Sequence, residues 1–324
     1  MKKLLFISLV ATAMLAGCSN DEMVETTQSG AVRFDGFVNK STRGLADDIT
    51  TANISNFSVY GFMTDATGQI FTGEAVTKSN DAWIYSNTQY WTAGKDYWFS
   101  AIAPTKDAQW TYAVNNKVEG GIITFENREG TQDLLYAYSD KVSCTTPSEQ
   151  SKVSFTFNHL LSRVKFKFTN AMGNDNTTLK VTDVKITNAN KKATCDVSAA
   201  TKTWILADDN VADDLVFGPV LASDAKIVNT GSSATDHKYM IPQNQTYALS
   251  FKVIMYQGDV EAATYNHTNV LIPKVNMIAG YSYVFNAELT GKNIDPVGEL
   301  YPIEFTVEEV EKWEEFVDNT VTIS

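Results

Sequence analysis

Apolar and polar residues alternate with a period of two along many short segments of this 324-residue chain. Such alternation places one set of side chains on the inner face of a β-strand and the other on a wet outer face, as in antiparallel sheets. The clearest segments are residues 57–62, 153–157, 164–168, 249–253 and 281–285. No stretch shows the 3.6-residue period of a long amphipathic helix, so the pattern predicts an all-β chain.

Turn-forming residues separate these segments, as at residues 65–68, 173–176 and 257–259. Many short strands joined by regular turns favour β-sandwiches. A polar, proline-containing stretch near residue 147 divides an aromatic-rich half from a half rich in β-branched residues. The sequence therefore predicts two tandem antiparallel β-sandwich domains, residues 31–149 and residues 150–324.

The chain begins with two lysines and an apolar run that ends at about Leu15. This run is shorter than the roughly 20 residues that a permanent membrane helix needs, and it fits a signal peptide over residues 1–17. The sequence Leu-Ala-Gly-Cys at residues 15–18 resembles the bacterial lipobox, which implies acylation of Cys18 and anchoring to membrane lipid. An export signal without lipidation is the alternative.

Residues 18–30 are polar and acidic, and they predict a flexible tether after the signal peptide. The acidic residues fit either an ordinary linker or a surface-export signal. The formal net charge of the whole chain is −12, with no basic stripe, which argues against a nucleic-acid partner. Cys144 and Cys195 follow the tether, and the sequence leaves open whether they form a disulfide.

Motifs for catalysis, nucleotide binding or metal binding are missing from the sequence. Its three histidines fall in different segments, and His159, between two strand-like runs, is interpreted as a buried histidine satisfied by backbone groups. The acidic loop 208–214 could bind calcium or be a solvated loop, and it lacks the glycine turn and distal glutamate of a calcium hand. We therefore predict a non-enzymatic protein without a cofactor or metal.

Four stretches taken in order resemble the fimbrillin family, the type V pilins of gut and oral anaerobes. They are Val-Arg-Phe-Asp-Gly-Phe at 32–37 with Ser-Thr-Arg-Gly at 41–44, the aromatic region from 57 to 104, Phe-Asn-His-Leu-Leu-Ser-Arg-Val at 157–164, and Gly-Tyr-Ser-Tyr at 280–283 with the terminal strands. The resemblance runs over nearly all of the chain that follows the tether.

This resemblance implies two sandwich domains of the transthyretin-like type and an assembly route. Such pilins are lipidated, carried to the outer surface and cut after an arginine by a trypsin-like protease. The cut releases the first strand, whose place is taken by a strand of a neighbouring subunit. Here Arg43 and Gly44 match the cut, and the released strand has Val32, Phe34, Gly36 and Val38 on one face. Alternatively, this strand is permanent and Arg43 is a surface loop residue.

The donor strand would come from the C-terminal segment, where Val317, Val321 and Ile323 share one face. Asn319 interrupts that face, so the segment either inserts into a neighbouring subunit or folds back on its own domain.

We therefore predict a structural or tip subunit of a fimbria at the cell outer membrane. Its predicted partners are other fimbrial subunits joined head to tail, membrane lipid through Cys18, and a surface receptor that the sequence does not identify. The alternative is a surface glycan-binding lipoprotein of a polysaccharide uptake system. That alternative needs tryptophans on one exposed face; the candidates are Trp83, Trp91, Trp98, Trp110 and Trp204.

Overall fold

The structure is a computed structural model that describes residues 30–38, 49–80, 82–114, 120–199, 201–220, 225–298 and 301–312. These residues form 23 β-strands and one 3-10 turn, Pro147–Glu149, so the all-β prediction is confirmed. The first ten strands are β1 (Phe34–Val38), β2 (Asn56–Met63), β3 (Phe71–Ser79), β4 (Ala82–Ile84), β5 (Lys95–Ala103), β6 (Trp110–Val114), β7 (Gly121–Glu126), β8 (Leu135–Tyr138), β9 (Val142–Cys144) and β10 (Val153–His159). The others are β11 (Ser162–Asn170), β12 (Thr177–Asn190), β13 (Lys192–Asp196), β14 (Trp204–Leu206), β15 (Ala212–Gly218), β16 (Ser232–Ala234), β17 (Lys238–Met240), β18 (Asn244–Gln245), β19 (Ala248–Gln257), β20 (Val260–Leu271), β21 (Val275–Asn276), β22 (Tyr281–Leu289) and β23 (Phe305–Lys312).

The five alternating segments of the sequence all lie in strands, namely β2, β10, β11, β19 and β22. β10 shows the period most clearly, because its seven residues are buried and exposed in strict alternation. The predicted turns also lie between strands. At the β19–β20 turn, Gly258 has a φ of +60°, which glycine adopts without the steric cost of a side chain.

The first sheet has eight strands in the order β1-β10-β8-β5-β2-β3-β4, with β9 paired to β5. Its strand pairs are antiparallel except that β1 runs parallel to β10, from Phe34 opposite Val153 to Val38 opposite Phe157. A second parallel pair joins β11 to β22. The prediction of purely antiparallel sheets was therefore wrong for these two pairs, because alternation reports which face of a strand is buried and not the direction of its neighbour.

Two sheets face each other in the C-terminal half. One has the order β16-β11-β22-β23, with β17 also paired to β11, and the other has the order β15-β12-β19-β20. Their inner faces form one apolar core, to which β11 contributes Phe166 and β12 contributes Ile186, both fully buried. This arrangement is the predicted β-sandwich, in which two sheets bury their apolar faces against each other.

Another core cluster contains residues from both halves of the chain. It lies against the four-stranded sheet β14-β13-β7-β6, in which β7 pairs with β13 across the predicted domain boundary. β10 also follows that boundary, yet it pairs with β1 and β8 in the first sheet. The strand pairing therefore places the end of the first sheet at His159 and not at residue 149. The polar stretch near residue 147 is a 3-10 turn that joins β9 to β10.

No helix within the described ranges has the length and apolar character needed to span a bilayer. Residues 1–29, which include the predicted signal peptide and Cys18, lie outside the described residues. The same holds for Arg43, Gly44, Val317, Val321 and Ile323, so the predictions of lipidation, cutting and donation stay predictions.

Candidate functional site: the groove beneath the first strand

Residues 30–38 occupy the edge of the first sheet and have hydrogen-bonding partners on both sides. β10 lies on one side, where the amide of Val153 donates to the carbonyl of Arg33 at 2.7 Å. On the other side, the amide of Val32 donates to the carbonyl of Gln89 at 2.9 Å, and Ala31 forms an antiparallel bridge with Tyr90. The segment is therefore held between two backbone partners, in a groove of the remaining chain.

The inner face of this segment is buried, as the alternation of the sequence predicts. Val32 is 0% exposed, Phe34 2% and Val38 3%, while Phe37 on the outer face is 48% exposed. Each buried aliphatic or aromatic side chain contributes about 1.5–3 kcal/mol to the binding of the segment, because its apolar surface is removed from water. The groove is thus filled by the four residues that the sequence assigns to the released strand.

Phe34 is the main anchor of the segment. Its ring lies among five aromatic rings at centroid distances of 5.4–6.4 Å, which belong to Phe57, Phe71, Tyr85, Phe99 and Phe155. Three of these contacts are edge-to-face, an arrangement that adds about 0.5–1.5 kcal/mol per pair beyond area burial. Four of these five rings come from the aromatic region of the sequence, and the fifth, that of Phe155, comes from β10.

Tyr85 connects the segment to its outer neighbour. Its hydroxyl donates to the carbonyl of Val32 at 2.7 Å and accepts from the amide of Gln89 at 3.3 Å. Burial raises the pKa of the Tyr85 phenol, against the opposing effect of the Gln89 hydrogen bond, so the hydroxyl keeps its proton and remains a donor.

Thr51 clamps the other end of the segment. The amide of Val38 donates to Thr51 Oγ1 at 2.9 Å, and the Thr51 hydroxyl donates to the carbonyl of Val38 at 2.8 Å. Nearby, Lys152 Nζ lies 3.2 Å from Asp35 Oδ1, but both side chains are partly exposed and such a pair contributes at most about 1 kcal/mol. The two Thr51 hydrogen bonds therefore hold the end of β1 that precedes the predicted cut.

The sequence predicted which side chains of the segment are buried in the groove, but it did not predict the side chains that hold the segment there by hydrogen bonds. It placed Val32, Phe34, Gly36 and Val38 on one face, and the structure brings all four into the groove. It did not single out Thr51 as a partner, and it placed Tyr85 only within the aromatic region from residue 57 to residue 104. The separation of 53 residues between Tyr85 and Val32 explains this, because no local pattern reports a contact so distant in sequence.

The other candidate residues are engaged with partners of their own. His159 is buried as predicted, and its Nδ1 is hydrogen-bonded to Asp133 Oδ2 at 2.7 Å, so a carboxylate is among its partners. In the acidic loop, Asp209 pairs with Lys192, and Asp214 lies 2.6 Å from Lys185 Nζ. Among the described residues, no group of three or more His, Cys, Asp or Glu could hold a metal ion.

Cys144 and Cys195 are free thiols in separate core clusters, which settles the question that their spacing left open. The five candidate tryptophans are buried or partly buried. Trp91, Trp110 and Trp204 are at most 5% exposed, and Trp83 and Trp98 are partly buried. The coplanar exposed tryptophans that a glycan-binding face needs are not found among these five, so the geometry does not favour that alternative.

Comparison with known proteins gives concordant matches. The family model described as fimbrillin-like matches residues 42–309. The fimbrium subunit Fim1C of Phocaeicola vulgatus is 26% identical over 185 residues, which span 49% of this chain and 49% of that relative. The chain thus matches about half the length of this curated relative.

Solved structures share the fold. A fimbrial protein from Bacteroides vulgatus aligns with a TM-score of 0.63 at 17% identity, covering 88% of this chain and 99% of the other. A candidate cell adhesion protein from Bacteroides ovatus aligns with a TM-score of 0.54 at 14% identity, covering 89% and 99%. At these identities the alignments show a common architecture and no more.

Proposed function

This chain belongs to the fimbrillin-like family, and from this membership we propose that it is a structural or tip subunit of a cell-surface fimbria. In this proposal the chain is anchored to outer-membrane lipid through Cys18 during export. A trypsin-like protease then cuts after Arg43, residues 30–38 leave their groove, and a terminal strand of a neighbouring subunit takes their place.

The observation that carries this proposal is the position of β1 in the groove. It is an edge strand whose inner face fills an aromatic groove, and it is connected to β2 through residues 39–55, the segment that contains Arg43. A cut in this segment would leave β1 attached to the rest of the molecule by noncovalent contacts alone. The strand could then exchange without unfolding of the other strands.

Loss of β1 would leave a strongly unfavourable surface. Three apolar side chains would leave the groove, at a cost of roughly 5–9 kcal/mol on the scale of 1.5–3 kcal/mol for each. The edge of β10 would also lose its ladder partner, and an open edge is a template for a strand of another chain. Refilling the groove is therefore favourable, and it supplies the driving force for assembly.

The geometry of such a contact favours a filament. The groove lies in the first sheet, whereas the proposed donor follows β23 of the C-terminal sandwich. Donor and acceptor are thus different surfaces of the molecule. A contact between unlike surfaces is head to tail, and it continues along a chain of subunits when it does not close into a ring.

Limited digestion of the purified, folded chain with trypsin tests this proposal. We expect a cut after Arg43 and, once a partner subunit is added, ladders of bands on detergent gels after mild heating. The Arg33–Phe34 bond serves as an internal control, because its backbone is bonded to Val153 and Phe34 is buried. Because trypsin also cuts after lysine and Lys40 lies in the same segment, the control carries both Lys40→Ala and Arg43→Ala; it should remain uncut between residues 38 and 49 and stay monomeric. Clean cutting after Arg43 that yields monomers only, with the partner subunit present, would contradict assembly by strand replacement.

A further inference from the structure

Gly36 lies at the centre of β1, where three aromatic rings meet. A Cβ atom built on Gly36 would lie 3.3 Å from Phe57 Cε1, 3.3 Å from Trp83 Cζ2 and 3.4 Å from Phe157 Cε2. The φ of Gly36 is not among the positive values of the chain, so the backbone conformation does not require glycine. The residue is therefore small because space is short: a Cβ atom would already require the rings of Phe57 and Trp83 to shift by a few tenths of an ångström, and a larger side chain would require more.

Two of the three walls around Gly36 are fixed. Phe57 and Phe157 are 0% exposed, and their ring centroids are 5.4 Å apart. Trp83 lies on β4, the short edge strand of the sheet, with its ring 4.9 Å from that of Phe57 and partly open to solvent. The indole of Trp83 is thus the wall that can be removed without emptying the centre of the core.

The neighbouring positions of the groove, unlike the Gly36 position, have room for a side chain. Two residues before Gly36, the groove takes the full ring of Phe34, and at its ends it takes Val32 and Val38. From residue 32 to residue 38, the inner face of the groove therefore accepts a medium side chain, a large one, none and again a medium one. A slip by two residues would place the large side chain at the Gly36 position or leave the Phe34 cage empty, so this order of sizes fixes the register of an occupant.

The chain's own proposed donor does not meet this requirement. Residues 313–324 are Trp-Glu-Glu-Phe-Val-Asp-Asn-Thr-Val-Thr-Ile-Ser, with neither glycine nor alanine. Whatever the direction or register of this segment, the residue at the Gly36 position would carry atoms beyond Cβ. Overpacking of a closed core costs about 1–3 kcal/mol.

We propose that the groove beneath β1 selects its incoming strand by a glycine at the Gly36 position, and that its partner is a different subunit and not the C-terminal segment of a second copy. The matching partner strand carries a glycine two residues from an aromatic residue on its inner face. This inference rests on the proposed function, since it names the partner of the strand exchange. It predicts that the purified chain alone exchanges poorly with its own tail.

The test uses the full chain with a recognition sequence for a site-specific protease inserted between Arg43 and Gly44. This makes the nick independent of natural cutting. The probes are fluorescent peptides: residues 30–38 as they stand, the same peptide with Gly36→Val, the same peptide with Phe37→Val, and residues 313–324. Phe37 is the matched control because it lies on the same strand with its side chain directed outward. Binding to the nicked chain is measured by fluorescence polarisation at equilibrium.

We expect the unchanged and Phe37→Val peptides to bind with similar affinity. The Gly36→Val peptide should bind about 5- to 150-fold more weakly, the range that 1–3 kcal/mol of overpacking corresponds to. The tail peptide should be at least as weak. In a nicked Trp83→Ala chain, shown by thermal melting to be folded, the Gly36→Val peptide should approach the affinity of the unchanged peptide.

Two results would overturn the inference: equal binding of the Gly36→Val and unchanged peptides to the nicked chain that retains Trp83, or binding of the tail peptide as tight as that of residues 30–38. Either would leave strand exchange itself intact. If residues 30–38 themselves fail to enter the nicked chain, strand replacement fails, and the inference falls together with the proposed function.

Discussion

Phe34 and Phe37 are neighbours on β1 with opposite surroundings. Phe34 is 2% exposed and packs among five rings, whereas Phe37 is 48% exposed on the outer face. We predict that Phe34→Ala lowers the free energy of unfolding of the intact chain by about 3–5 kcal/mol, as large-to-small changes in a packed core do.

Phe37→Ala is the matched control, with an expected change below about 1 kcal/mol. Urea denaturation followed by tryptophan fluorescence measures both changes. Equal losses in the two variants would show that β1 is held by its backbone and not by the groove.

The two buried cysteines should be unreactive in the folded chain. Burial raises the pKa of the Cys195 thiol to about 12 and also raises the pKa of Cys144. Because the thiolate is the reactive form, we predict slow labelling by a thiol reagent at pH 8, and rapid labelling of both cysteines in denaturant. Raising the pH from 7 to 9 should accelerate labelling of the unfolded chain, whose thiols have ordinary pKa values near 8.5, with little effect on the folded one. Rapid labelling of Cys144 or Cys195 in the native protein, located by peptide mass spectrometry because Cys18 is a third thiol, would contradict the burial of that residue.

Single residues were predictable where the cause is local. The alternation of Val32, Phe34, Gly36 and Val38 is enough to identify the buried face of β1. The role of Gly36 as the point of contact of three rings was not predictable, because Phe57, Trp83 and Phe157 come from three strands that meet only in the folded sheet. For the same reason the sequence did not predict the carboxylate partner of His159.

At the scale of elements, side-chain hydrogen bonds hold both ends of the segment 30–38. Tyr85 fastens the first end, and the paired hydrogen bonds of Thr51 fasten the second. Because the predicted cut follows β1, Thr51 should control how fast a nicked strand leaves. Cutting and release are then separate steps.

We predict that Thr51→Val accelerates release of the nicked strand by about 5- to 150-fold, since it removes two hydrogen bonds of about 0.5–1.5 kcal/mol each. Release is measured as loss of a fluorophore attached ahead of residue 30. Thr156→Val is the matched control, because Thr156 lies opposite Phe37 on β10 with its side chain exposed. Equal rates in the Thr51→Val and unchanged chains would exclude the clamp.

The sequence predicted the existence of the long strands and left their arrangement undetermined. Strict alternation in residues 153–157 identifies β10, but its parallel pairing with β1 depends on the path of the chain between them. The polar stretch near residue 147 has the composition of a linker and is a tight turn within one sheet. A polar composition indicates exposure to solvent. Turns and domain linkers are both exposed, so composition does not distinguish them.

At the scale of the whole molecule, an independently folding N-terminal unit must include β10. A chain of residues 31–149 would contain β1 and β8 but lack the strand that pairs with both. We predict that this chain shows no cooperative thermal transition by circular dichroism, whereas the chain from residue 31 to 324 melts cooperatively. Cooperative melting of residues 31–149 would mean that the first sheet forms without β10 and would restore the boundary at 149.

The central claim is that a strand of one molecule replaces the first strand of another. Mass spectrometry of the proteins in the ladder bands, after nicking at Arg43 and assembly with a partner subunit, tests it most directly. We predict that the polymer bands contain the chain from residue 44 onward and lack the fragment that ends at Arg43, which appears free in solution in equal amount. Polymer bands that retain this fragment in one-to-one proportion with the rest of the chain would contradict strand replacement.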